Sequence, residues 1–434
     1  MRVLVVGGGA RGHALVWRIS SSPLLERNGL FVAPRNAGTL QIATNLPVRA
    51  DDVEGLVCAA KTHSIDLVVV GPELPLSLGL TDRLQAEGIM AFGPSRKAAV
   101  LETSKSTAIE IGRVAIGKMY FPESWFFDNQ QEAEDFVRSY DVIGRGRIVV
   151  KADGLAGGKG VRVCDTLEQA LEFIFLCMGQ RVFGAAGDRI VIQQRVEGCE
   201  LSVFAFCDGQ QCYAPVIAYD YKRLLAGDRG PITGGMGSWC FPTYTDTALA
   251  EKICDDIMTP IVREMGDRGT PYRGVLYAGI MLTPQGPVVL EFNCRFGDPE
   301  AQVILPLLGK DLLEIAWECA SGDVSILARY SNLWGLQACV GIVLASAGYP
   351  DDPKVGRPIS GLNTIPDDIL VFHGGTKVTP EGQILTDGGR VFTVDGKGNN
   401  LEEAQVNAAR AASMIGFEGV QWRRDIGFRA RRRI

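Results

Sequence analysis

Along the first hundred residues, short apolar runs alternate with stretches in which apolar positions recur at helical spacing. RVLVV (2–6), LFVA (30–33) and IDLVVVG (65–71) are rich in β-branched residues and end at Gly or Pro. Unbroken apolar runs of this length predict parallel strands buried on both faces, and HALVWRIS between the first two predicts a helix. Residues 1–103 therefore predict a doubly wound α/β domain, whose ligands would sit at the carboxyl ends of the strands. Those ends carry GGGARGH, APRNAGT and GPELPL.

The pattern changes after residue 98. AVLETSKSTAIE (99–110) has helical periodicity, and RIVVKADGLAGGKGVRVC (147–164) reads as strand, glycine loop, strand. VLYAGIMLTPQGPVVLEFNCRFGDPE (275–300) predicts two antiparallel strands joined at 283–287, and AQVILPLLGKDLLEIAWECASG (301–322) predicts a helix. From about 330 the text turns to short strands, ACVGIVLAS, VFHGGTKV and GGRVFTVDG, which predict a small separate β-rich domain over 329–434. The fold expected is α/β with α+β parts: the N-terminal sheet domain, a central module over 104–328, and the C-terminal domain.

Composition sets limits on function. No run approaches the ~18 apolar residues of a membrane span, and MRVLVVGGGARGH lacks the shape of a secretion signal. The 11 cysteines include no C-x-x-C pair, which points away from zinc and redox dithiols and towards reduced thiols in the cytoplasm. A net charge of −6 argues against non-specific nucleic-acid binding. The one basic run, RRDIGFRARRRI, reads as a solvated tail.

Three segments carry candidate chemistry. Gly7, Gly9 and Gly12 fit G-x-G-x-x-G between strand and helix, but the second strand ends Ala33-Pro34-Arg35, without the acid that would hold a dinucleotide ribose. Backbone N–H groups there suit a phosphorylated small molecule, with Arg11 and His13 as cationic or donor side chains; a tight turn alone is the plainer reading. VVKADGLAGGKGVRV is not a Walker A loop, since Lys159 is followed by Gly160 and a strand. Its glycines and the lysines Lys151 and Lys159 suit a triphosphate tail. In LEFNCRFGDPEAQ (290–302), Glu291 and Asn293 alternate onto one strand face, hard oxygen ligands suited to Mg²⁺. Arg295 continues the alternation if the strand persists, and its fork could brace a phosphoryl group or carboxylate. YDYKRLLAGDRGPITGGMGS (219–238) adds Asp220, Lys222 and a glycine-rich loop.

Taken in order, Ser104-Lys105, VVKADGLAGGKGV, EGCELS, GPITGGMG, LYAGIML and LEFNCRFGDPEAQ resemble the ATP-grasp ligases, and most closely their glycinamide ribonucleotide synthetase family. The likeness runs from GGGARGHAL to the terminal RRDIGFRA. It implies a two-part ATP-grasp module with a flap at about 122–190, and a reaction in which glycine is activated by ATP and joined to 5-phosphoribosylamine. It implies that Lys105, Lys151 and the flap Gly157, Gly158, Lys159 and Gly160 hold ATP phosphates. Gln193 and the Val196 backbone would face adenine, and Glu200 the ribose. Glu291 and Asn293 would bind Mg²⁺, with Mn²⁺ as a substitute, and Arg295 would steady the transferring phosphoryl group. Asp220, Lys222 and Asp298 would surround glycine; Arg11, Asn36, Gly38, Thr39, Pro72 and Glu73 would hold the phosphoribosylamine. A monomer or weak homo-oligomer is expected.

The chain departs from the family pattern at Gly12 (usually acidic), at Gln193-Gln194-Arg195 (usually E-E-F), at Cys199, at Tyr219 and Tyr221, and at Ile232. These positions adjoin the expected substrate pockets. The alternative expectation is therefore a related ATP-grasp ligase that couples another amino acid or amine.

Overall fold

A computed structural model describes residues 1–142, 147–243, 247–322 and 333–428. The first domain is a five-stranded sheet of β1 (Val3–Val6), β2 (Leu30–Ala33), β3 (Thr44–Asn45), β4 (Leu67–Val70) and β5 (Met90–Phe92). All four pairings are parallel and the order is β3-β2-β1-β4-β5. The three predicted strands are its centre, buried at every position. The two edge strands are too short to show a period. Helices α1 (Ala10–Ser20), α2 (Val53–Thr62), α3 (Glu73–Ser77) and α4 (Leu80–Ala86) make the crossovers. Gly12 has a packing reason: a Cβ there would lie 1.8 Å from the Gly7 carbonyl oxygen, so the helix rests directly on the turn.

The predicted helix over 99–110 is two helices, α5 (Val100–Thr103) and α6 (Lys105–Ala115). Ser104 breaks it by offering a side chain to backbone donors, as cap residues do. Its Oγ accepts from the Thr107 N–H and donates to Asp153 Oδ2 at 2.8 Å, while Asp153 Oδ1 accepts the Ser106 N–H at 2.6 Å. A residue 49 positions away therefore decides the break, which local periodicity could not show. Next come β6 (Ser124–Phe127), α7 (Gln130–Val142), β7 (Ile148–Ala152), β8 (Val161–Cys164), α8 (Leu167–Ile174) and β9 (Ile190–Gln194). Their strands form an antiparallel sheet, β6-β9-β7-β8, with its own apolar core.

Strands β10 (Cys199–Asp208), β11 (Cys212–Asp220), β12 (Arg223–Leu225), β13 (Arg229–Ile232) and β14 (Gly237–Cys240) follow, then α9 (Thr247–Ile253) and α10 (Thr259–Asp267). The predicted hairpin is β15 (Arg273–Thr283) and β16 (Gly286–Asn293), antiparallel. The long helix expected after it is broken into α11 (Glu300–Ile304) and α12 (Leu312–Ser321). A 3₁₀ turn over Leu305–Leu307 separates them; Pro306 has no N–H to continue the α ladder.

The C-terminal region contributes β17 (Ala338–Ala345), β18 (Leu370–His373), β19 (Thr376–Val378), β20 (Ile384–Thr386), β21 (Arg390–Gly398) and α13 (Leu401–Ala412). Its strands do not stand apart, as the text after residue 330 suggests. One eight-stranded sheet runs β16-β15-β10-β11-β14-β17-β21-β18, so β17 adds directly to β14. Pairing of this kind is long-range and leaves no local signature. The expected boundary at 328/329 and the end of the basic run beyond 428 lie outside the described residues.

Candidate active site

A cavity of about 660 Å³ lies between the two sheets of the central module. Lys105, Lys151, Gly157, Gly158, Gly160, Gln193, Val196, Glu200, Asp220, Lys222, Glu291, Asn293, Arg295, Asp298 and Glu73 all line it. These residues come from distant parts of the chain: the helix start after Ser104, the β7–β8 hairpin, the β9–β10 connection, the end of β11 and the end of β16.

Glu291 is the electrostatic centre. Burial opposes its ionisation, but Lys222, Lys151 and Lys105 outweigh that and hold the carboxyl below its ordinary value. The lysines feel the converse. Burial pulls Lys151 down to about 8, against Glu291, and Lys105 adds repulsion. Lys151 Nζ donates to the Leu290 carbonyl at 3.0 Å, which ties the β7–β8 hairpin to β16. Burial likewise lowers Lys105, whose Nζ donates to the carbonyls of Ala152 at 2.8 Å and Gly154 at 3.1 Å. Lys222 pairs with Glu200. With Lys222 paired to Glu200, Lys105 and Lys151 are left facing Glu291, and a phosphate chain beside them would meet two ammonium groups.

The tip of the hairpin loop allows close approach. Gly157 and Gly158 have φ of +57° and +76°, and a Cβ at either would meet nothing within 4 Å. Their need is conformational, since L side chains rarely hold such φ. Gln193 is buried with its Nε2 donating to Ser124 Oγ at 2.9 Å, which turns its amide oxygen free for an acceptor role. Lys159 is not brought in: it is exposed at the loop tip and does not line the cavity.

At the other end, Asp220 Oδ1 is buried without a partner. Burial and then Glu300 push its carboxyl well above the ordinary range. Asp298 is half-buried, and Arg390 and Arg11 outweigh the burial and keep its carboxyl below its ordinary value. β16 ends at Asn293, so Arg295 lies beyond the strand. Its guanidinium is nonetheless held on three sides: Nε to Glu73 at 3.1 Å, Nη2 to Asn293 Oδ1 at 3.1 Å and to Glu102 Oε1 at 2.7 Å. Glu102 escaped the sequence reading although it stands in ETSK, three residues before Lys105. Arg390, from β21, escaped because nothing local marks it.

Glu291 and Asn293 offer hard oxygens on one strand face, and Asn293 Oδ1, which accepts from Arg295 Nη2 at 3.1 Å, would serve the cation with its second lone pair. No cluster of three or more His, Cys, Asp or Glu suited to a metal occurs among the described residues. Two protein ligands of this kind fit a divalent cation that completes its shell with water and phosphate oxygens.

The N-terminal loops form a second cluster, of which only Glu73 reaches the cavity. Arg11 donates to the Phe296 carbonyl at 2.8 Å and contacts Glu73 at 3.5 Å. Asn36 Nδ2 donates to the carbonyls of Gly8 at 2.7 Å and His373 at 2.8 Å, and its Oδ1 accepts the Gly38 N–H. Thr39 Oγ1 lies 2.9 Å from Asn45 Oδ1. Asn36 and Thr39 thus hold the loop in shape. Gly38 is a close approach, its Cβ position being 2.2 Å from the His13 ring. Pro72 packs on the Gly7 turn, 3.4 Å from that residue's Cβ position. Of the cationic and donor roles expected for His13, the structure disfavours the first: burial, then His373, pull it down to about 3, and its Nδ1 accepts the His373 N–H at 2.9 Å.

Comparison with known proteins agrees along the whole chain. Family models described as the phosphoribosylglycinamide synthetase N domain, ATP-grasp (A) domain and C domain match residues 1–102, 117–301 and 339–429. A phosphoribosylamine–glycine ligase of Caldanaerobacter subterraneus is 42% identical over 98% of this chain and 99% of its own. The human trifunctional purine biosynthetic protein adenosine-3 is 41% identical over 99% of this chain and 42% of its own. The crystal structure of phosphoribosylamine–glycine ligase from Thermotoga maritima superposes with a TM-score of 0.81 at 32% identity, covering 98% of this chain and 100% of that one. The biotin carboxylase domain of Hydrogenobacter thermophilus 2-oxoglutarate carboxylase, solved with MgADP, shares the fold: TM-score 0.69 at 14% identity, over 97% and 91% of the chains. With three domains matched in order and relatives at about two-fifths identity from end to end, the chain belongs to the phosphoribosylamine–glycine ligase family.

Proposed function

We propose that this cavity joins glycine to 5-phosphoribosylamine with ATP, and that its residues divide the work as follows. Lys105, Lys151 and the backbone of the 157–160 loop bind the phosphates; Gln193 and the Val196 backbone meet adenine, and Glu200 the ribose. Lys159 would join them only when the loop folds down. Glu291 and Asn293 would hold Mg²⁺, or Mn²⁺ in its place; a cation there supplies charge neutralisation on the phosphates.

Glycine would lie between Asp220, Lys222 and Asp298. Its carboxylate attacks the γ-phosphorus, ADP leaves, and glycyl phosphate forms. Arg295, fixed by Glu73, Glu102 and Asn293, stabilises the negative charge on the acyl phosphate. The amine of phosphoribosylamine then attacks the acyl carbon and phosphate departs. Arg11, Glu73 and the loops bearing Asn36, Gly38, Thr39 and Pro72 would form the phosphoribosylamine side. Such catalysis rests on positioning and preorganised charge.

The observation that carries this reading is the convergence of Lys105, Lys151 and Lys222 on Glu291 inside one cavity. No observation favours a different amino acid, since the altered positions leave Asp220, Lys222 and Asp298 in place. The eleven free cysteines fit a reducing cytoplasm, and a monomer suffices because one chain supplies every group named. The test is ADP release with phosphoribosylamine and a panel of amino acids. Glycine-dependent turnover is expected; turnover that needs another amino acid, with glycine inert, would refute it.

A further inference from the structure

Two side chains of the C-terminal region grip one residue of the glycine-rich loop, through the peptides on either side of it. Tyr349 Oη accepts the Gly234 N–H at 3.0 Å. Arg390 Nη1 donates to the Gly234 carbonyl at 2.7 Å. The same nitrogen donates to the Asp298 carbonyl at 2.6 Å and lies 3.3 Å from the Asp298 carboxylate. Gly234 and Asp298 both line the cavity, but Tyr349 and Arg390 do not.

The loop is close-fitting on its other side as well. A Cβ at Gly235 would lie 2.4 Å from Pro299 Cδ and 2.8 Å from Asp220 Oδ1. Moving Gly234 by a few tenths of an ångström therefore moves the wall against Asp220 and the turn at Asp298 together. Within the loop, Thr233 Oγ1 donates to the Lys222 carbonyl at 2.9 Å and accepts the Gly235 N–H at 3.1 Å, but Gly234 has no side chain of its own and takes its position from the C-terminal partners. The partners on Gly234 belong to strand β21 and to the segment after β17.

We infer that Tyr349 and Arg390 act as a clamp that sets the amino-acid end of the cavity: they are positioning residues, which hold Gly234 and Asp298 at the spacing a small amino acid requires. This rests on the reading that glycine lies between Asp220, Lys222 and Asp298. Because the clamp acts at one end only, its loss loosens amino-acid binding and spares ATP.

The experiment compares Tyr349→Phe, Arg390→Met and Asp220→Asn by steady-state kinetics, with melting temperature measured in parallel. Tyr349→Phe removes one hydroxyl and keeps the ring, so it decides the matter even if Arg390→Met does not fold. The expected result is a rise of about tenfold in KM for glycine in both clamp variants, KM for ATP unchanged, and a near-native melting temperature for Tyr349→Phe. A glycine KM raised by Asp220→Asn but unmoved by the clamp variants overturns the clamp alone. A glycine KM unmoved in all three overturns the placement of glycine, and the clamp with it. Equal rises in KM for glycine and ATP also overturn the proposal, because a merely structural role would give that.

Discussion

Arg295 Nε donates to Glu73 Oε2 across 3.1 Å, and so the segment leaving the β16 strand is bonded to the first residue of α3 in the N-terminal domain. The same carboxylate lies 3.5 Å from Arg11 Nη2. One acid between two arginines joins the ATP-grasp cavity to the loops proposed to hold phosphoribosylamine. Burial opposes ionisation of Glu73, but Arg295 and Arg11 together bring it down to about 2 from 4.5.

That shift makes a prediction about acid stability. A carboxyl depressed in the folded state stabilises the fold at pH above its unfolded value, and the contribution is lost as pH falls through the folded value. Denaturation of wild type and Glu73→Gln should differ most above pH 4.5 and converge as pH falls towards 2. Melting curves across that range check it; a constant difference would contradict the ion-pair account.

Arg295 should not tolerate lysine. Its guanidinium meets Glu73 through Nε and both Asn293 and Glu102 through Nη2, a planar fork that an ammonium cannot reproduce. Arg295→Lys is expected to lower turnover by about 100-fold with little change in ATP affinity. Glu102→Gln should lower turnover as well, by loosening Arg295. Measurement of kcat beside the dissociation constant of ATP separates the two effects.

The lysine beside the acid gives a pH signature. Lys151 titrates near 8 rather than 10.5, so its charge is present below about 8 and lost above it. The free protein should therefore lose kcat/KM for ATP on an alkaline limb centred near pH 8. Lys151→Arg stays charged, and its limb should move upward or vanish. A limb unchanged in that variant would assign the titration elsewhere.

Glu291→Gln is expected to fold, because the amide fits the same space, and to lose about 100-fold in turnover through loss of cation binding. Circular dichroism and an ADP-release assay at several Mg²⁺ concentrations test both halves. Near-normal turnover would refute the metal pair.

How far the sequence reached depended on how local each feature was. LEFNCRFGDPEAQ could be read because its ligands alternate along one strand, and the structure brings Glu291 and Asn293 to the same cavity. The β7–β8 hairpin was equally legible from its glycines. Long-range causes were not. Ser104 breaks a helix through Asp153, Pro306 and its 3₁₀ turn interrupt another, and β17 pairs with β14 across about a hundred residues of chain. His13 stood open as a cation or a donor because sequence cannot show the burial that keeps it neutral. Arg390 and Tyr349 stand alone in sequence, and only the fold shows what they hold.

The central claim is that this cavity activates glycine as an acyl phosphate. Glycine labelled with ¹⁸O in both carboxylate oxygens tests it most directly, through the mass of the phosphate released. Attack by the carboxylate on ATP leaves one glycine oxygen in the departing phosphate, so each turnover should yield phosphate carrying a single ¹⁸O. Unlabelled phosphate, with the amide formed at the normal rate, would contradict the account.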